Sequence, residues 1–288
     1  MCIGFVGLGT MGLPMALCLK EQGFDLQGWD QVPQAGASSP WRRDTLAAVA
    51  AHAEVLITML PEGKDVAAVH DAVLSSGGPA DRLFLDCSTI DVETTRRLAD
   101  AAAGAGHGFV DAPVSGGPEG ARNGSLSFMV GGAPEHVNRA RPLLAVMGAK
   151  ITEFGAPGAG QAAKACHNMI CGITALGVCE AFALAESLGL DSTSFYQLCQ
   201  GAAAQSWILE NRCPVPGPAP LAPASNGYAP GFAARLMAKD LRLAQAAAAA
   251  SGQQTPFGAE AARRFTAFAE TGGGDFDFSA IYRDIRKA

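Results

Sequence analysis

The sequence predicts a doubly wound, parallel α/β domain followed by an all-α C-terminal domain, the two joined by a long interdomain helix. Three observations carry that prediction. Through the first half of the 288 residues, short apolar runs alternate with helical stretches, the pattern of parallel strands linked by crossovers. A glycine-rich turn follows the first of those runs. In the second half no strand-like run recurs, and apolar residues sit nearly all round the stretch 161–188, which reads as a helix buried between domains.

The elements follow in order. Ile3-Gly4-Phe5-Val6 reads as a strand and 11–22 as a helix. Leu26-Gln27-Gly28-Trp29 is a second strand, and Val55-Leu56-Ile57-Thr58-Met59 a third, after a helix near 46–51. A fourth strand covers 83–86 and a fifth 108–111, with a helix over 92–103 between them; a sixth covers 127–130. Further helices are expected near 192–200, 231–251 and 257–271. Between Cys213 and Gly231, Pro214, Pro216, Pro218, Pro220, Pro223 and Pro230 exclude helix and inner strand. That segment reads as an ordered connection or surface loop. There is no internal repeat, and the domain boundary falls near Gly160, giving domains 1–160 and 161–288.

Composition narrows the function classes. With 49% hydrophobic and 17% charged residues, the chain reads as globular and ordered. A net charge of -6 argues against nucleic acid or an anionic membrane surface as the main partner. A small anionic substrate is still allowed, since local donors decide that. The 8 cysteines show no CxxC pair and the 5 histidines form no cluster with them, so free buried thiols in a reducing cytoplasm are expected, and no metal. No targeting peptide is expected, because Cys2-Ile3-Gly4-Phe5-Val6 already reads as core. The apolar stretch 165–185 carries His167, Asn168 and Glu180, each costly in lipid, so a buried soluble helix is the better reading.

Gly7-Leu8-Gly9-Thr10-Met11-Gly12 follows the first strand and opens a helix. The first glycine permits a tight turn, the second close approach of a pyrophosphate, and the third close helix–strand packing. The helix start offers N–H groups and a positive dipole end to phosphates. At that place the pattern marks a Rossmann-type dinucleotide site. Asp30, at the end of the second strand, suits the ribose hydroxyls of NAD and would repel the 2'-phosphate of NADP. Arg42 and Arg43 lie downstream and soften that preference. Leu60-Pro61 and Ser88-Thr89 end the third and fourth strands, where ligands sit in such sheets, although in isolation a Ser-Thr pair reads as a helix cap.

Asp111-Ala112-Pro113-Val114-Ser115-Gly116-Gly117 follows the fifth strand. Its glycines allow backbone N–H groups to converge on a carboxylate, although from spacing alone an ordinary turn is favoured. Lys164 and Asn168 stand at i and i+4 and share a helix face. Desolvation and a neighbouring cation would draw such a lysine towards neutrality, which suits proton transfer; the plainer alternative is a lysine snorkelling from the first turn. Lys239-Asp240 alone reads as an exposed charge pair.

Together these residues resemble the β-hydroxyacid dehydrogenase superfamily, and within it the 3-hydroxyisobutyrate dehydrogenase branch. The resemblance runs in order through Gly7 to Gly12, Met59-Leu60-Pro61, Asp86-Cys87-Ser88-Thr89-Ile90, Asp111 to Gly117 and Met129-Val130-Gly131-Gly132. It continues through Gly158 to Lys164 with Asn168, Pro214-Val215-Pro216-Gly217, Phe232 with Leu236 to Leu241, and Asp277 to Ile281. It implies an NAD-dependent oxidoreductase acting on a small 3-hydroxy acid, as a homodimer or homotetramer. Lys164 would be the general acid/base and Asn168 would orient substrate. Ser115, Gly116 and Gly117 would cradle its carboxylate, and Asp240 would close the site from the second domain. Gly7, Leu8, Gly9, Thr10, Met11, Gly12, Asp30, Leu60, Pro61, Asp65, Thr89 and Lys239 would contact cofactor.

Three departures bear on substrate and cofactor. His167-Asn168 stands where the family usually has two asparagines. Ala202-Ala203-Ala204-Gln205-Ser206 replaces the expected serines and glycine before Trp207. The stretch from Asp30 to Thr45 is Gly/Ser/Pro-rich where a helix is usual. A relative acting on L-serine, 3-hydroxypropionate or tartronate semialdehyde therefore stays open. So does a non-catalytic dinucleotide-binding protein, because fold does not fix function.

Overall fold

The computed structural model describes residues 1–286. The chain divides into two compact units, one spanning Met1–Lys164 and one beginning at Ala165. The division falls inside the long helix, somewhat past Gly160.

The first unit is built on strands β1 (Cys2–Val6), β2 (Asp25–Trp29), β3 (Val55–Thr58), β4 (Leu83–Asp86), β5 (Gly108–Asp111), β6 (Val114–Ser115), β7 (Leu126–Gly132) and β8 (Gly148–Gly155). Their order is β2-β1-β3-β4-β5-β7-β6, with β8 beside β7. The five strands β1 to β5 pair in parallel. Helices α1 (Gly12–Glu21), α2 (Leu46–His52), α3 (Gly63–Ser76) and α4 (Val92–Gly104) follow the first four of them. Strand residues alternate between two apolar clusters. Leu83 and Leu85 face one with Ile3, Phe5 and Met15; Phe84 faces the other with Leu56, Val66 and Leu98. Burial on both faces is why these strands read as continuous apolar runs.

The sheet is parallel through β1 to β5, as expected, and beyond them it turns, since β5 and β7 are antiparallel. The helix between them, α5 (Gly117–Arg122), has 6 residues and is roughly 9 Å long. The connection also spends Val114 and Ser115 on β6, which pairs antiparallel with β7, so no long crossover helix carries the chain back along the sheet. The strand expected over 127–130 is longer at both ends, and α3, α6 (Pro134–Met147) and β8 join the elements read from sequence. Arg82 is buried and donates to the carbonyls of Ala53 at 2.9 Å, Ala50 at 2.6 Å and Gly77 at 3.4 Å. It thereby satisfies carbonyls at the C-terminal ends of α2 and α3.

The long helix, α7, runs over Ala159–Ser187. After it come α8 (Ser192–Cys199), α9 (Trp207–Asn211), α10 (Ala234–Ser251), α11 (Pro256–Phe268) and α12 (Tyr282–Ile285). The proline-rich stretch holds one 3-10 turn, Pro223–Asn226, at odds with its reading as helix-free. It is an ordered connection and no mere surface loop: Cys213, Val215, Ala219, Ala222 and Tyr228 enter the core of the second unit. The Tyr228 hydroxyl donates to the Pro214 carbonyl at 2.6 Å. Asp277 pins its far end, accepting from the N–H groups of Gly231 and Phe232.

Two burial expectations are corrected. Helix α7 is long and apolar enough to cross a membrane by length and composition alone, but it is not buried all round. Ile170 and Leu184 are 64% and 60% exposed. Among the cysteines, Cys87, Cys179, Cys199 and Cys213 are buried, Cys2, Cys18 and Cys171 are half-buried, and Cys166 is exposed.

Candidate active site

The glycine turn divides its work between protein and ligand. At Gly7, with φ +96°, an added Cβ would lie 2.2 Å from the Met59 carbonyl oxygen, and at Gly12 it would lie 1.9 Å from that of Gly7. Packing of β1, α1 and the end of β3 therefore forbids a side chain at both. At Gly9 an added Cβ would meet nothing within 4 Å. Among the described residues no atom requires that glycine, and its open side at the start of α1 fits a pyrophosphate.

Asp30 ties this turn to the end of β2. One carboxylate oxygen accepts from Leu8 N–H at 2.6 Å and the other from Val32 N–H at 2.7 Å. Each oxygen retains a second lone pair for a ribose hydroxyl. Residues 30–45 form turns with no helix. Arg42 is held there, donating to the carbonyls of Ala35 at 3.0 Å and Asp30 at 3.3 Å. Arg43 donates to Pro40 and Arg42 carbonyls.

The loops after β3 and β4 are joined. Thr58 Oγ1 and Ser88 N–H both donate to Asp86 Oδ1, at 2.7 and 3.1 Å. Leu60 N–H donates to Ser88 Oγ at 2.9 Å. The buried Gln161 amide then takes both polar groups of the next segment: its Oε1 accepts from Ile90 N–H at 3.1 Å and its Nε2 donates to the Ser88 carbonyl at 2.8 Å. Leu60, Pro61 and Thr89 are thus fixed at the carboxyl end of the parallel sheet. Asp65 lies in the first turn of α3, beside that edge. Ser115 ends β6, and Gly116 and Gly117 follow at φ +133° and +63°. Only such left-handed backbone lets the chain turn at once into α5.

Asp111 has a role that sequence spacing did not reveal. Its carboxylate accepts from Gly158 N–H at 2.8 Å and Gln161 N–H at 2.9 Å, so β5 supplies the N-terminal cap of α7. Close docking needs Gly160, where a Cβ would lie 2.3 Å from the Met129 carbonyl oxygen. Burial raises the Asp111 pKa to about 6 against the opposing pull of the two N–H bonds. Asp111→Ala removes a cap and strands buried donors. It is expected to destabilise by about 2–4 kcal/mol, read as a lower urea midpoint. An unchanged midpoint would contradict the capping role.

Lys164 follows Gln161 on α7 and is 7% exposed, so the alternative of a lysine snorkelling into water is not met. In the second unit Asn168 is buried. Its Nδ2 donates to Asp240 Oδ2 at 2.5 Å, and its Oδ1 lies 2.9 Å from His167 Nδ1. Lys239 Nζ is 3.4 Å from Asp240 Oδ1, in an ion pair whose side chains are 16% and 5% exposed. The reading of Lys239-Asp240 as an exposed pair is thereby corrected: these residues lie on the inner face of α10.

Fold and glycine turn together define a class, the dinucleotide-binding α/β proteins with a helical second domain. Comparison with known proteins narrows it. Residues 2–155 match the model of the NAD binding domain of 6-phosphogluconate dehydrogenase. Residues 158–285 match that of the NAD-binding region of NADP-dependent 3-hydroxyisobutyrate dehydrogenase. A 3-hydroxyisobutyrate dehydrogenase of Pseudomonas aeruginosa is 44% identical over 99% of this chain and 98% of its own. An NAD-dependent L-serine dehydrogenase of the same organism is 40% identical over 98% and 96%. A Mycobacterium tuberculosis 3-hydroxyisobutyrate dehydrogenase solved with L-serine superposes with TM-score 0.94 at 42% identity, covering 99% of this chain and 100% of that one. The chain belongs to the 3-hydroxyisobutyrate dehydrogenase family.

Proposed function

We propose that the enzyme oxidises the primary alcohol of 3-hydroxyisobutyrate to methylmalonate semialdehyde, with NAD as acceptor. The observation that carries this reading is a buried lysine, Lys164, at i and i+4 with a buried Asn168 on one continuous helix. A buried amine is costly unless a task or a partner offsets its desolvation.

The nicotinamide ring, when bound, supplies the hydride acceptor. Gly7 to Gly12 and Asp30 hold the dinucleotide, with Leu60, Pro61, Asp65, Thr89 and Lys239 as further contacts. Ser115, Gly116 and Gly117 hold the substrate carboxylate. Lys164 accepts the hydroxyl proton, and Asn168, backed by Asp240, orients the reacting carbon. Positioning carries much of the rate, and proton transfer adds a factor of about a hundred or more. The Asp30 carboxylate, at the end of β2, would accept from ribose hydroxyls and repel a 2'-phosphate, which supports NAD over NADP.

A second reading, L-serine as substrate, is favoured by the 40% identical relative of that name. The two acids differ at C2, where a pocket separates methyl from amine strongly. The deciding experiment follows reduction of NAD and NADP with 3-hydroxyisobutyrate, L-serine, 3-hydroxypropionate and glycerate. The highest kcat/KM is expected for 3-hydroxyisobutyrate with NAD. A higher value for L-serine would move the assignment to the second reading, and no activity on any acid would leave a dinucleotide-binding module.

The exposed residues of α7 include Cys166, Ile170, Gly177, Ala181 and Leu184, spaced as one helical stripe. We assign this stripe to a second copy of the chain, in a cytoplasmic homodimer or homotetramer. Sedimentation of the assayed preparation as a monomer would refute that.

A further inference from the structure

We propose that His167 is a positioning residue which, together with Asp240, clamps the Asn168 amide in a single orientation. The inference rests on the reading of Asn168 as a substrate contact.

Hydrogen-bond polarity fixes the arrangement end to end. An ionised carboxylate only accepts, so the Asn168 atom 2.5 Å from Asp240 Oδ2 is the amide nitrogen. The other end of the amide, 2.9 Å from His167 Nδ1, is then the carbonyl oxygen, which also only accepts. His167 Nδ1 must therefore carry a proton. Cys171 Sγ, 3.7 Å from the same nitrogen, lies one turn further along α7 and is at most a weak acceptor. Lys239 balances the charge of Asp240 from its other oxygen.

Neither bond alone would suffice. Asp240 decides which end of the amide faces it but leaves rotation about the side-chain bond open. The bond from His167 removes that rotation. Consecutive helix residues project about 100° apart and seldom meet through their side chains. Here they do, because imidazole Nδ1 and amide Oδ1 are both close to the main chain. With one N–H committed to Asp240, the second amide N–H keeps a fixed direction. Asn168 thus presents substrate with a donor already aimed, and no ordering remains to be done in the transition state.

Isosteres separate this role from packing. Asparagine places its Nδ2 donor where histidine has Nδ1; leucine places a methyl there; aspartate places an acceptor against the Asn168 carbonyl. His167→Leu is expected to lower kcat/KM about ten- to a hundredfold, mainly through kcat, with the KM for NAD unchanged. His167→Asn is expected to restore it to within about threefold of the parent, and His167→Asp to fall below the leucine variant. A purely structural role would lower the urea midpoint and leave kcat per folded enzyme alone. A folded leucine variant with parental kcat/KM, or an asparagine variant as poor as leucine, would overturn the proposal. A readout independent of turnover is the 15N spectrum of the His167 ring in the full-length enzyme. The Nδ1–H tautomer is expected, with its signal perturbed in Asn168→Leu; an Nε2–H tautomer would overturn the clamp. If the parent enzyme oxidises no hydroxy acid, the proposed function fails, while the ring tautomer still decides the clamp.

Discussion

Lys164→Ala is expected to lower kcat by about a hundredfold to ten-thousandfold while NAD binds as before. The two halves of that expectation have separate physical grounds. The amine is the group proposed to take the hydroxyl proton. Dinucleotide binding is assigned in the proposed function chiefly to the turn at Gly7 to Gly12 and to Asp30, whose bonds to Leu8 and Val32 N–H involve no part of α7. Truncation leaves α7 itself in place, because its start is held by Asp111 and by the two bonds of Gln161. Lys164→Arg sharpens the test. A guanidinium keeps the positive charge but cannot give up its proton in a protein. If Lys164 worked by charge alone, arginine would retain much of the rate; a proton acceptor predicts a loss close to that of alanine. Single-turnover NADH formation, with NAD affinity measured by fluorescence titration, separates chemistry from binding. Near-normal turnover in Lys164→Ala would refute the role.

How much of this arrangement is legible in sequence depends on the range of each interaction. The glycine turn was legible because its causes are local: strand, turn and helix start are contiguous, and each glycine answers to a neighbour or a ligand. Strands β1, β3, β4 and β5 were legible because burial on both faces leaves unbroken apolar runs, whereas the edge strand β2 alternates between buried and open positions. Helix α3 was not legible, since Glu62 at its N-cap makes no side-chain cap bond and the acidic Asp65 in the first turn is a weak start signal by itself. Helix α6 carries Pro142 in its interior, which reads as a break. Strand β8 is largely exposed and lacks alternation. Asp111 and Gln161 escaped for another reason. Each acts on backbone distant in sequence, and a cap supplied from another strand has no local signature. The residues themselves stood within the motifs; only the fold shows that Asp111 caps a helix start. The clamp on Asn168 was hidden likewise, because Asp240 reaches it from α10.

Lowering the pH is expected to destabilise this protein through His70, a group the proposed reaction does not use. His70 lies on the inner face of α3 with Val66, Val69 and Val73. Its ring stacks against Phe84 at 4.5 Å and meets Phe109 edge-on at 5.7 Å. Among the described residues neither ring nitrogen has a hydrogen-bond partner. Burial, helped by the charge of Arg97, lowers its pKa from 6.5 to about 3. The folded state thus binds fewer protons than the unfolded state between those values. The stabilisation is complete above pH 6.5 and falls away as the pH drops towards 3, at about 1.4 kcal/mol per pH unit. At pH 5 the loss is about 2 kcal/mol. Asp111 acts in the opposite sense. With its pKa raised from 3.8 to about 6, its contribution is complete below 3.8 and is lost as the pH rises through 6, so it partly offsets His70 in that window. Comparing the parent with His70→Leu cancels the Asp111 contribution. Leucine has a similar volume and leaves no polar atom unpaired, so the variant is expected to match or exceed the parent at pH 7.5. Its advantage should widen by about 2 kcal/mol at pH 5, measured by urea unfolding at both values. A constant difference across that range would show that the imidazole is protonated without cost, and that water or a carboxylate reaches it in solution.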